Sequence, residues 1–355
     1  MDLIMKGTYM AGVMIAQPLY AGGKILVGKK MAETGMDAAS ERLRLVKATA
    51  VYDADNAYWT YAAVRQKQEM MNALAAQLDS IYSQVSVAVA AGMATDAELL
   101  TVKARRSEVE YQARKVKNGA ALCRMAWCRV IGVTFVTDID VEDVDDPAEG
   151  WSSRLDDMSV SERPELRLLD AQLEISRLQV RMTRGDYLPT LAVTGGYLPY
   201  GNIKISTMVD AGGGNYVPYK RNISQNQGFA MLAVSIPIFK WGQGFNKVRR
   251  AKLDVENAVL DIQKNSRLIE LEARQAALNL SDSYNLIEAA RDGMTDAAEN
   301  LRVYENRYGA SMCPLSDYLD AQFQWQQSKS NLIEAVTRFH IAETDYLRAT
   351  GRLVR

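Results

Sequence analysis

The chain is 355 residues long, 48% hydrophobic and nearly neutral, with 42 Lys and Arg against 43 Asp and Glu. Two or three ordinary domains with real cores fit that length, while balanced, interspersed charge argues against a nucleic-acid partner. No apolar run reaches the ~20 residues of a membrane-spanning helix, so any passage across a bilayer has to use strands.

Met1 to Lys6 lacks the basic segment and apolar core of a secretory signal, and it leads directly into strand-like sequence, Tyr9 to Tyr20. A helix is expected from about Lys24, because Met36 to Ala91 contains no Gly or Pro and is rich in Ala, Leu, Met, Gln, Glu and Lys, all strong helix formers. At 1.5 Å per residue such a rod is ~100 Å long. It ends in a compact turn, Ala90 to Thr95, that includes Gly92 and Met93, and the chain returns as a shorter helix, about Asp96 to Val130.

Asp138 to Glu149 holds seven acidic residues and then Pro and Gly cues. Asp138, Asp140 and Glu142 have part of the spacing of a calcium loop, but the sixth position, where a tight loop needs Gly, is Asp143. The stretch reads as a solvated linker within 133–160. A separate helix is expected from Pro164 to Arg184, arriving end to end with the second returning helix.

Tyr187 to Phe239 reads as a β-hairpin, with strands Leu188 to Leu198 and Phe229 to Phe239 around a polar, Gly-rich excursion that reads as an exposed loop. Each strand has the ~9–11 residues that cross a bilayer when tilted. Leu191, Val193 and Tyr197 alternate with Thr190, Thr194 and Gly196, and Tyr187, Tyr197, Tyr200, Phe229, Phe239 and Trp241 cluster near strand ends, as in the aromatic girdles of a barrel. An isolated hairpin is marginal in water, so closure with further strands is expected. A second long helix follows, Phe245 to Tyr308, broken by Gly293 alone, then a turn from Gly309 to Pro314 and a returning helix, Leu315 to Thr350. Apolar residues recur at three and four spacing, as in Leu253, Val255, Val259 and Ile262, then Leu268, Leu271 and Leu278, with Ala between them. Such stripes let helices pack on more than one side.

The two halves are one object written twice, matching at a constant offset of 219 residues. Pro18 pairs with Pro237, Gly23 with Gly242, Ala57 with Ala276, Met93 with Met312, Leu100 with Leu319, Arg129 with Arg348 and Gly132 with Gly351. The first repeat is 1–132; the second, 161–355, contains the hairpin 187–239 and a helical hairpin over 243–350. The first repeat has a returning strand but no outgoing one. A closed antiparallel barrel takes an even number of strands, so a helix and a strand are expected to be missing ahead of Met1.

The remaining chemistry-bearing residues give little. Cys123 and Cys128 lie five apart, where helical side chains do not face each other, so these two and Cys313 read as buried apolar thiols. His340 has no companions and reads as packing or surface. Nothing resembles a catalytic triad, a phosphate-binding loop or a metal cluster; neither enzyme activity nor a cofactor is expected.

Gln17-Pro18-Leu19-Tyr20-Ala21-Gly22-Gly23 and Ile236-Pro237-Ile238-Phe239-Lys240-Trp241-Gly242 resemble the strand-to-helix joint of TolC-like outer-membrane efflux proteins. Arg307 to Gln322 resembles the helical turn of that family's second repeat. The resemblance implies a mainly α chain with a membrane β-hairpin region. Three copies would share one twelve-stranded barrel in outer-membrane lipid, and their long α-helical barrel would project into the periplasm. It also implies passive conduction, a periplasmic adaptor protein and an inner-membrane RND or ABC transporter as partners, in multidrug efflux or type I secretion. By position, Tyr308 matches the tyrosine of a link that keeps the tunnel tip closed, Glu98 the acidic residue it contacts, and Asp317 and Asp320 two ring carboxylates. Cys313 stands where some members carry an arginine, so a second link is expected to be absent. The turns, with Gly92, Met93, Ala310, Ser311 and Met312, would meet the adaptor. Three copies of Asp317 and Asp320 would attract cations and raise one another's pKa values; a plainer reading has both solvating a first helical turn. The competing classes are a periplasmic adaptor, which has one helical hairpin rather than two, and a soluble coiled-coil scaffold, which leaves Tyr187 to Phe239 unexplained.

Overall fold

The computed structural model describes residues 2–4, 8–135, 141, 159–210, 212, 213, 215–238 and 241–354. In chain order the elements are β1 (Asp2–Ile4), β2 (Tyr9–Met10), β3 (Val13–Ala21), α1 (Lys24–Ala90), α2 (Asp96–Ile131), α3 (Pro164–Gly185), β4 (Thr190–Asp210), β5 (Tyr216–Ser235), α4 (Gln243–Gly309) and α5 (Leu315–Ala349). Helices α1 and α4 are each 67 residues long, ~100 Å at the α-helical rise. They start 219 positions apart, as do α2 and α5. The left-handed residues that punctuate them keep the same offset: Gly23 with Gly242, Gly92 with Ser311, Gly132 with Gly351. Of the acidic stretch 138–149 only Val141 is described, its carbonyl accepting from Arg65 Nη1 at 3.1 Å; the calcium-like spacing and Phe239 lie outside the described residues. No helix among the described residues is long and apolar enough to cross a membrane.

The chain divides into two compact units. The first, Met1–Ala38 with Leu169–Asp261, is built on β4. One edge of β4 pairs antiparallel with β5 from Thr190↔Ser235 to Asp210↔Tyr216. The other edge takes β3, β2 and β1 in succession, all antiparallel, so these three behave as one interrupted strand. The hairpin is about twice as long as the sequence pattern implies. Asn222 to Gln227, expected in an exposed loop, lies in the ladder opposite Lys204 to Leu198. Cross-strand hydrogen bonds there are polar: Tyr200 donates its hydroxyl to Gln225 at 2.8 Å, and Ser224 Oγ accepts from the Asn202 amide at 3.2 Å. A ladder is held by backbone groups that any side chain can carry, so polar residues do not end it. Nearly every β5 side chain is exposed.

The second unit, Ala39–Leu168 with Ile262–Arg355, is helical. Met71, Leu74, Leu78, Ile81 and Val85 of α1 are buried at alternating spacings of three and four, the seam of a left-handed coiled coil. They form one core with Val102 and Val109 of α2 and with Leu315, Tyr318 and Leu319 of α5. The far half of α5 contributes Val336, Phe339, Tyr346 and Ala349 to another core, with Ala276, Ala277, Leu280 and Ile287 of α4. Small alanines on both sides let these helices approach closely. Leu268, Leu271 and Leu278, by contrast, stay exposed on α4, as do Leu43 and Val46 on α1.

Helix α3 begins where α5 ends. A Cβ on Gly351, whose φ is +74°, would lie 2.8 Å from the Arg163 amide nitrogen, so the left-handed turn after α5 needs glycine for both conformation and space. Arg163, 4% exposed, locks this junction: it donates to Glu165 at 2.6 and 3.1 Å, to Glu272 at 2.7 Å and to the Ala349 carbonyl at 3.2 Å. Arg348 joins by bonds to Glu272 and Asp345. Burial opposes the Arg163 charge, but the two glutamates outweigh it and raise its pKa. Burial likewise pushes the Glu165 carboxyl up, and the Arg163 bonds more than reverse that, leaving it below its ordinary value.

Candidate functional site

At the strand-to-helix joint of the first unit, Pro18 has no amide hydrogen for the ladder, and the β3–β4 register slips between Pro18 and Tyr20. Gly22 and Gly23 then turn the chain with φ of +65° and +77°, and α1 starts. A Cβ on Gly22 would lie 2.3 Å from the Gly185 carbonyl oxygen at the end of α3. Lys24 fastens the same place with an ion pair to Asp186 at 3.0 Å. In the second copy β5 ends at Ser235, two residues before Pro237, and the turn is made by Trp241 and Gly242 at φ of +48° and +69°. Trp241, Ile238 and Phe245 are strongly exposed, an apolar collar beside the strands.

The helical turns of the second unit differ between copies in a way that decides the fate of their carboxylates. In the first, Thr95 caps α2: its hydroxyl accepts from the Glu98 amide at 3.3 Å, and the Glu98 carboxylate accepts from the Thr95 amide at 2.9 Å. This reciprocal box satisfies two amides that a helix start otherwise leaves unpaired. The aligned positions in the second copy are Pro314 and Asp317, and Pro314 makes no side-chain cap. Asp317 is therefore exposed and, among the described residues, only the Ser316 hydroxyl donates to it, at 3.3 Å.

Tyr308, at the end of α4, stacks on Tyr318 of α5 with ring centres 5.5 Å apart and planes 4° from parallel. Tyr318 is buried, and its hydroxyl accepts from Gln77 Nε2 at 3.0 Å. Burial raises the Tyr308 pKa, helped by the nearby charges of Glu98 and Cys313. The structure thus brings Tyr308 and Glu98 into one electrostatic neighbourhood, while Glu98 spends its hydrogen bonds on the cap. Cys313 Sγ contacts the Tyr304 carbonyl at 3.7 Å. Of the cysteines only Cys128 is fully buried; all three are free thiols. His340 stacks face to face on Trp59 at 4.0 Å.

Asp320 has a partner that the sequence does not reveal. Its carboxylate pairs with Arg105 of α2 at 3.5 Å; Arg105 also holds Glu108 at 2.9 Å and lies over the Phe323 ring at 5.1 Å. Position 105 shows no pattern that would single it out, because the pairing depends on how α2 and α5 lie together. The Thr95 cap, by contrast, was readable as Thr-x-x-Glu. At the turns themselves, Met93 and Met312 are 79% and 69% exposed, beside exposed Gly92, Ala310 and Ser311.

Residues 157–352 match the family profile described as Outer membrane efflux protein. The chain belongs to that family. Membership places it in the outer membrane, with its helical part in the periplasm. Among sequence relatives, the outer membrane protein TolC of Escherichia coli K12 is 25% identical over 195 residues, covering 54% of this chain and 39% of TolC; the match thus spans about two fifths of the relative. Among solved structures, a membrane protein from Pseudomonas aeruginosa superposes with a TM-score of 0.76 at 17% identity, covering 97% of this chain and 84% of that one. The open state of the Neisseria gonorrhoeae MtrE outer membrane channel gives 0.76 at 14% identity, covering 98% and 81%. Both likenesses share the fold, long helical hairpins joined to a β region, with this member of the efflux family.

Proposed function

We propose that this chain is one stave of a passive export duct, closed when three identical subunits join their sheets into one barrel and their helices into one periplasmic tunnel. The observation that carries the reading is the sheet: among the described residues β3 and β5 have no strand on their outer edges, and an open edge in lipid leaves costly unpaired backbone groups. The exposed leucines of α4 point the same way, as an apolar stripe that a neighbouring copy would cover. The duct would serve an inner-membrane RND or ABC transporter through a periplasmic adaptor. The exposed Met93 and Met312 suit such a contact, since methionine adapts to irregular surfaces. Asp317, Asp320, Tyr308 and Glu98 would form the constriction, Asp317 supplying most of the unbalanced charge.

Single-channel recording of the full-length protein in planar bilayers tests this. Conductance that rises when Tyr308→Phe or the pair Asp317→Ala and Asp320→Ala is introduced supports it. A protein that stays monomeric and monodisperse without detergent, and never conducts, removes the duct in favour of an adaptor or scaffold.

A further inference from the structure

We infer that the strand-to-helix joint of the second copy binds an anionic phospholipid, its acyl chain in an apolar groove and its phosphate among exposed cations. The groove, about 480 Å³, is walled by Tyr187, Pro237, Ile238, Phe245 and Val248 and lined also by Arg184, a volume within the range of small-molecule sites. Ile238 and Phe245 are 92% and 74% exposed, so these walls are open to a partner. A Cβ on Gly244 would lie 2.7 Å from the Tyr187 ring; glycine there lets the ring lie against α4. Exposed Leu232, Val234 and Ile236 lead along the chain from β5 to Ile238, carrying the apolar surface from the sheet to the groove. The helices of this outer-membrane chain lie in the periplasm, so the joint stands at the periplasmic leaflet. Trp241, strongly exposed beside the groove, and Tyr187 are of the residue types that favour that depth.

The charges select the headgroup. A helix start favours acids, yet Gln243 to Lys252, which open α4, include none and carry Lys247, Arg249, Arg250 and Lys252. Arg181 and Arg184, in the last turns of α3, bring these exposed cations to six. None of the six has an ion pair among the described residues, and the next acids along α4, Asp254 and Glu256, pair with none of them. The first copy differs: Lys24 pairs with Asp186 at 3.0 Å, Lys29 with Glu33 at 3.6 Å and Lys30 with Glu174 at 3.3 Å. Positive charge is thus left unbalanced at the second joint. Phe245, Arg249 and Lys252 are spaced to share one face of α4, so an acyl chain against Phe245 brings its phosphate to two cations. Basic clusters of this size beside a membrane segment recognise anionic lipid. An acidic protein would answer the charges and leave the groove empty, whereas a phospholipid fills both. The site rests on the reading of the sheet as membrane-facing, and not on conduction.

The test is native mass spectrometry of the full chain in neutral detergent, titrated with dioleoylphosphatidylglycerol or dioleoylphosphatidylcholine, which share chains and phosphate but differ in net charge. Phosphatidylglycerol is expected to bind at least about fivefold tighter. Arg184→Gln with Arg249→Gln should erase that preference and leave phosphatidylcholine binding unchanged. Lys204→Gln with Lys220→Gln, in the distal half of the hairpin, should not alter it. Val248→Trp, which fills the groove, should weaken both lipids at least about fivefold, and inorganic phosphate in large excess should displace neither. Circular dichroism confirms that each variant is folded. Four results each overturn the site while leaving the duct standing: equal binding of the two lipids, a preference that survives loss of Arg184 and Arg249 or falls equally with Lys204 and Lys220, binding untouched by Val248→Trp, and displacement by phosphate. A chain that binds neither lipid and needs no detergent removes the duct as well.

Discussion

Replacing Arg163 by Met removes the four hydrogen bonds that join the start of α3 to Glu165, Glu272 and the Ala349 carbonyl. Removing one partner of a buried ion pair typically costs ~3–5 kcal/mol, because the other charge is left uncompensated. Here the low end applies, about 3 kcal/mol: Glu165 and Glu272 are 27% and 38% exposed and can recruit water, and Glu272 keeps Arg348 at 3.2 Å. Arg163→Lys should cost roughly half as much, since an ammonium keeps the charge but loses the planar fork. Urea unfolding followed by circular dichroism measures the difference. Its pH dependence is a second readout. The folded pKa of Glu165 lies below its reference of 4.5, so its contribution is complete above that value and is lost as pH falls through the lowered folded pKa. The gap between wild type and Arg163→Met should be constant from pH 7 to about 5 and narrow below about 4.5. Equal stability at pH 7, or a gap that persists undiminished well below pH 4, refutes the account.

Thr95→Ala should cost about 1 kcal/mol by removing the α2 cap, seen as roughly fivefold faster hydrogen exchange at the Glu98 amide. Asp317→Asn should reduce cation selectivity, read from reversal potentials, more than Asp320→Asn does, because Arg105 already offsets Asp320; Arg105→Gln should increase it. Gly22→Ala should disrupt the joint, since its Cβ would overlap the Gly185 carbonyl, whereas Gly23→Ala meets no atom within 4 Å and should cost only the left-handed penalty of ~1–2 kcal/mol. Thermal unfolding of the two variants compares them.

The large features were readable because helix formation here is local and repeated. A run free of Gly and Pro gave α1, a Pro-free run broken by Gly293 alone gave α4, and the offset of 219 returned in helix starts and left-handed turns alike. The hairpin was underestimated because alternation marks only strands whose faces meet different surroundings. Beyond that zone β4 and β5 continue on backbone pairing, which leaves no trace in side-chain pattern. The Arg105 to Asp320 pair and the Arg163 junction were invisible for another reason. Their partners are 215 and 109 residues apart in the chain, and which charge meets which is settled by helix packing.

The duplication also explains why two similar turns need not do the same work. The Asp317 carboxylate occupies the place of Glu98, and the two differ in what stands three residues earlier. Threonine there draws Glu98 into the cap, where its charge serves the helix start and its lone pairs are occupied. Proline there pre-sets an extended entry to α5, at φ of −71°, without needing a side-chain partner. The second helix can therefore start without consuming its carboxylate, and Asp317 remains exposed. Position 320 went further, since its counterpart is Thr101, whose hydroxyl bonds back to the Ala97 carbonyl. One change at the N-cap, one three residues on and one a turn later thus separate a capped helix start in the first copy from an acidic surface at the same offset in the second.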